Sequence, residues 1–154
     1  MAQTPRQAAP APAPASQATT AAPAGTAAQV SFAERALVGT WYGESGATGP
    51  AGAQLQRFLT TRRPDGTYSL EVRTYENGKP TIQLANTGLW GISNSLFFTI
   101  TTEVNGQRTA IREPAYTAAY LVRGITGNEF VYQHIASGRE LRVVRAAPDA
   151  RLPD

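Results

Sequence analysis

The chain of 154 residues contains no cysteine, one histidine and one methionine, and only 16% of its residues are charged. Without cysteine there can be no disulfide framework, no cysteine-ligated zinc or iron–sulfur site and no thiol nucleophile. With His134 as the lone imidazole, a zinc site would need carboxylates for its other ligands, and none lies nearby at a ligand-like spacing. Long apolar runs are missing too. None approaches the roughly 20 residues that a helix needs to cross a bilayer, so no transmembrane segment is expected. The formal net charge is only +3, and the basic residues are scattered rather than massed on one stripe, so no nucleic-acid partner is expected. The one basic doublet, Arg62-Arg63, precedes Pro64-Asp65-Gly66 and reads as a solvated strand end beside a turn.

Strings that carry common chemistry are equally scarce. The chain has no G-x-S-x-G, no Gly-Lys-Ser/Thr and no G-x-G-x-x-G. The acidic residues of the central region, such as Glu71, Glu103 and Glu129, fall in turns or on the polar parity of strands, which is the ordinary place for solvated carboxylates. No catalytic constellation is visible, no cofactor is implied, and a non-enzymatic role is expected.

What is present divides the chain into a leader, a domain and a tail. Residues 1–29 are Ala, Pro, Thr, Gln and Ser with one charge, Arg6, and read as a disordered tether. Such a spacer ahead of a compact domain resembles what remains after a bacterial export signal has been removed, so a periplasmic or secreted location is expected. Residues 30–146 form the domain and residues 147–154 a flexible C-terminal tail. Val30 to Leu37 fits one or two helical turns with Ser31 as N-cap. Beyond it stand strand-like runs at Leu37–Glu44, Leu55–Arg63, Thr67–Glu76, Thr81–Trp90, Leu96–Val104, Arg108–Arg112, Tyr116–Ile125, Glu129–Ala136 and Glu140–Ala146. Pairs such as Asp65-Gly66, Asn77-Gly78 and Asn105-Gly106 lie between the runs and suit tight hairpins. The glycine-rich stretch Gly43–Ala53 reads as a mobile loop over an open end.

Alternation assigns faces. Tyr68, Leu70 and Val72 oppose Ser69, Glu71 and Arg73, while Leu96, Phe98, Ile100 and Val104 form one apolar set and Tyr116, Ala118, Tyr120 and Val122 another. Eight or nine short strands with no covering helix bury such a face best by closing on themselves, which also removes exposed edges. The predicted fold is therefore all-β, an antiparallel up-and-down barrel of about eight strands with a short N-terminal helix. A two-sheet sandwich is the alternative architecture.

Leu37-Val38-Gly39-Thr40-Trp41-Tyr42-Gly43-Glu44 opens the first strand, and Asp65-Gly66-Thr67-Tyr68, Gly88-Leu89-Trp90 and Phe130-Val131-Tyr132 follow in order. This G-x-W and meander resembles the calycin superfamily, in particular small bacterial lipocalin-like domains of unassigned function, over Leu37 to Ala146. The resemblance implies a barrel base closed by an arginine of the last strand across the tryptophan, which here means Arg145 over Trp41, a structural pair.

Inward parity groups Tyr68, Trp90, Phe98, Tyr116, Tyr120, Phe130 and Tyr132 as candidate cavity residues, with His134 either packed, solvated or a polar contact within the cavity. Apolar walls with a few hydroxyls suit both a ligand pocket and a filled core. The expected partner is a small apolar or amphipathic molecule. The alternatives are a protein partner, in an inhibitor-like barrel acting through Gly43–Ala53 and the hairpin tips, and a haem-linked barrel, from the similarity of the Leu37–Glu44 string to nitrobindin-like proteins.

Overall fold

The computed structural model describes residues 33–49 and 52–154. The tether expected over residues 1–29, and the first residues of the expected helix, lie outside the described residues. A helix over residues 33–37 leads into nine strands: β1 (Gly39–Gly49), β2 (Gly52–Arg62), β3 (Thr67–Glu76), β4 (Lys79–Ser93), β5 (Leu96–Val104), β6 (Gln107–Arg108), β7 (Thr117–Ile125), β8 (Glu129–His134) and β9 (Glu140–Arg145). Each barrel strand pairs with its neighbour antiparallel, β1 pairs with β9, and the β4–β5 pairing completes the ring. The two-residue β6 hangs on β5, so eight strands make a closed up-and-down barrel. Asn77, Asn94 and Asn105 adopt positive φ at three hairpin tips, where asparagine tolerates the left-handed region.

The wall is uneven. β1 to β4 have 11, 11, 10 and 15 residues, whereas β8 and β9 have six each. One end, here the base, gathers the helix, the β2–β3 and β4–β5 hairpins and the end of β9. The other end, the rim, carries the β1–β2 and β3–β4 hairpins and the segment between β6 and β7.

Three expectations are corrected here. The described residues of the stretch Gly43–Ala53 are strand and not loop: β1 runs on to Gly49 and β2 begins at Gly52, with Gly46 opposite Leu55 and Gly49 opposite Gly52. Small residues are poor strand formers, but β2 offers an unbroken ladder of backbone partners, and that overrides propensity. The expected strand Arg108–Arg112 contracts to β6, because from Thr109 onward the chain turns into a one-turn 3-10 helix at Pro114–Tyr116. The C-terminal segment is not free. Leu152 is buried, the Pro153 carbonyl accepts from the Tyr75 hydroxyl at 2.6 Å and from Arg73 Nη1 at 2.7 Å, and Asp154 pairs with Arg73 at 2.8 Å.

The base is solid. Trp41, Phe97, Phe130, Tyr132, Leu37 and Val143 are buried there, with Phe97 edge-on to Phe130 at 5.3 Å and Phe130 stacked on Tyr132 at 4.5 Å. The Trp41 indole donates to the Leu37 carbonyl at 2.9 Å, pinning the helix under the barrel. Arg145 lies 4.3 Å above the Trp41 ring and donates to the carbonyls of Ala36, Val38 and Gly127 at 2.7–2.9 Å. The glycine of the G-x-W string has a steric reason. Gly39 has φ +121°, and a Cβ there would stand 2.6 Å from Arg145 Nη1. No helix among the described residues is long and apolar enough to cross a membrane.

Candidate ligand cavity

Above the aromatic base the interior opens into a cavity of about 300 Å³. β2 supplies Gln56, Phe58, Thr60 and Arg62, in that order from rim to base. β3 supplies Tyr68, Leu70 and Val72, and β5 supplies Phe97, Thr99 and Thr101. Tyr116, Ala118 and Tyr120 enter from the β7 side, with Tyr132 and Leu141 from the short wall. No carboxylate is among these residues.

The candidates fall into four groups. Tyr68, Tyr116, Tyr120 and Tyr132 line the cavity. Trp90 and Phe130 are buried in the packed cluster below it, the Trp90 indole donating to the Arg63 carbonyl at 3.1 Å. His134 is half-buried at the rim end of β8, its ring 5.2 Å from Tyr120 and its Nδ1 2.8 Å from Ser137 Oγ; it is not part of the cavity wall.

Phe98 faces outward and is 37% exposed, so its assignment to the interior is corrected. β5 is inverted relative to its alternation: Phe97, Thr99 and Thr101 face in, while Leu96 and Phe98 face out with Leu89 and Leu121. The register explains this. Thr99 pairs with the inward Trp90, and Phe98 pairs with Gly91, which leaves its ring room on the outer surface. The inward threonines serve the tyrosines. Tyr68 and Thr101 share a hydroxyl hydrogen bond of 2.8 Å, and Thr99 shares the cavity wall with Tyr120. Gly88 makes the Tyr68 position possible, because a Cβ there would meet the Tyr68 ring at 2.8 Å and the Ile100 carbonyl oxygen at 2.0 Å.

The residue that sequence reasoning missed is Arg62. Expected as a solvated strand end, it is 3% exposed, while the adjacent Arg63 is exposed. Its guanidinium stands 4.9 Å from the Phe97 ring, 5.3 Å from Phe130 and 6.0 Å from Trp41. Trp41 is therefore flanked by two arginines, with Arg145 as the other. Tyr132 shares the cavity wall with the Arg62 guanidinium. Nη1 has no partner; the only other buried side-chain atom so placed among the described residues is Asn86 Oδ1. Burial lowers the proton affinity of Arg62, with the Tyr132 and Tyr120 hydroxyls opposing, but a guanidinium stays charged in a protein. A signal for Arg62 did exist. A tight hairpin between Gly49 and Gly52 sets Trp41 opposite Thr60, and Arg62 shares the parity of Thr60.

Burial also raises the tyrosine hydroxyls. Tyr120 is pushed up to about 12, with the neighbouring Tyr132 adding to the effect. Tyr132 and Tyr68 are raised in the same direction by burial, partly offset by Arg62 at the first and Thr101 at the second. All are neutral near pH 7 and present O–H groups able to donate or accept. No group of three or more His, Asp or Glu side chains among the described residues is placed to hold a metal ion.

No protein-family model matches the chain, and no curated protein matches its sequence.

Proposed function

We propose that the chain is a lipocalin-like, calycin-type binding protein that sequesters or carries a small, largely apolar molecule inside its barrel, outside the cytoplasm. The observation that carries this reading is the cavity of about 300 Å³ above a filled base, at the lower end of the range for small-molecule sites. Its walls combine Phe58, Leu70, Val72 and Leu141 with a few hydroxyls, a lining suited to an apolar body with a polar end. The reading is one of binding without turnover, and the extracytoplasmic part rests on the Ala/Pro composition of residues 1–29.

Titration with the neutral dye N-phenyl-1-naphthylamine tests it. Saturable, blue-shifted fluorescence with one dye per chain is expected. It should be abolished by Ala118→Trp, which puts an indole into the cavity from β7 while the circular dichroism of the barrel is kept. Dye binding that survives Ala118→Trp, or no binding by the wild type, overturns the reading.

A further inference from the structure

Among the described residues, the cavity wall holds one full positive charge and no carboxylate to balance it. Arg62 is buried, its Nη1 lacks any hydrogen-bond partner, and no Asp or Glu is among the residues that share the cavity wall with it. A buried charge left uncompensated is strongly unfavourable, and folded chains keep one only where something offsets it. The rings of Phe97, Phe130 and Trp41 repay part through cation–π attraction. They accept no hydrogen bond in the guanidinium plane, so Nη1 is left without an acceptor.

Resting on the binding reading above, we propose that the ligand is a compact monocarboxylate with an apolar body, held head-first with its carboxylate on Arg62 and its tail toward the rim. Three features select this class. A guanidinium offers two parallel N–H donors that match the two oxygens of a carboxylate. One cation balances one negative charge, whereas a phosphate monoester would bring up to two. The charge also has a place along the cavity: Arg62 stands at the base end, while Phe58, Leu70 and Val72 give the wall above it an apolar surface, with Gln56 at the rim. Tyr132, which shares the cavity wall with Arg62, offers a neutral hydroxyl as a further donor.

The test compares two probes of the same chain length, octanoate and octan-1-ol, by calorimetry at pH 7. For the wild type, octanoate is expected to bind about ten- to a hundredfold more tightly than the alcohol, the usual size of a charge-assisted hydrogen-bonded contact. In Arg62→Met the preference should fall to near unity with the alcohol's affinity retained, and Arg62→Lys, which keeps the charge but not the fork, should fall between. Tyr132→Phe, a milder change, should reduce the preference severalfold and serves if Arg62→Met does not fold. Equal affinities of the wild type for both probes overturn the carboxylate assignment while leaving the binding barrel standing. Failure of both probes together with the dye overturns the binding reading itself.

Discussion

Arg62 and Arg145 flank the same indole, and removing each charge should act in opposite directions on stability. Arg62→Met takes a guanidinium out of a site with no counter-ion and an orphaned Nη1. An unsatisfied buried donor costs about 1–3 kcal/mol, and replacing buried ionic groups by apolar ones of similar volume often stabilises by about 1–4 kcal/mol. Against this stand the lost ring contacts, about 2 kcal/mol. Methionine fills irregular space well. The net expectation for the ligand-free protein runs from no change to about 2 kcal/mol of added stability. Arg145→Met removes three hydrogen bonds to carbonyls that fasten the helix and the β7–β8 turn to the base, and no apolar side chain can satisfy those oxygens. Because this arginine is partly solvated, the expected loss is about 1–3 kcal/mol. Urea unfolding followed by the fluorescence of Trp41 and Trp90 measures both, with an unchanged m-value confirming that the denatured state is not the source. A loss of more than about 2 kcal/mol on Arg62→Met would refute the reasoning, because Arg62 would then be a structural cation and not one held in reserve for an anion.

Stability should fall above pH 10 as buried tyrosines ionise. The folded pKa of Tyr120, about 12, exceeds the ordinary value of 10.0, so between these pH values the folded state binds more protons than the unfolded one and loses on the order of 3 kcal/mol; tyrosinate absorbance should rise together with unfolding. Titration of most tyrosines near 10 in the folded state would contradict this. Deleting residues 152–154 uncovers Tyr75 and removes a buried leucine, which should cost about 2–4 kcal/mol and be seen as a lowered Tm; an unchanged Tm would show that the C-terminal contacts contribute nothing. Haemin added to the protein should give no absorbance band that depends on His134, because that ring is tied to Ser137 and lies outside the cavity wall; a band lost in His134→Ala would reverse this.

The barrel was legible because alternation runs through β3 and β7, and in β3 it agrees with the turn chemistry on either side, Asp65-Gly66 and Asn77-Gly78, two independent signals for the same hairpins. Tyr68 and Tyr120 were placed on the interior by that agreement. β5 broke the pattern because two demands compete there. Its threonines are needed inside as partners for tyrosine hydroxyls, so its apolar residues are left to the outer surface beside Leu89 and Leu121. Period-2 reasoning assumes an apolar interior, and an interior that carries hydroxyls inverts it. Arg62 was missed for a related reason. A charged residue beside a turn is normally solvated, and only the register of a distant hairpin shows which member of the doublet points inward.

The closing contacts of the fold join residues on the order of a hundred positions apart: Arg145 reaches the Val38 carbonyl, Trp41 pairs with Arg145, and the last residues settle on Arg73 and Tyr75. Consecutive hairpins can form as the chain appears, but the ring itself has no seal until β9 arrives. Until then β1 presents an unpaired edge, and the helix has neither the Arg145 clasp nor its final seat. This chain therefore matures from its end, and folding should be limited by ring closure, slow and all at once, rather than by any hairpin within it. A partly made chain remains an open meander that can be held, threaded or degraded, and the cavity exists only once the last strand is in place.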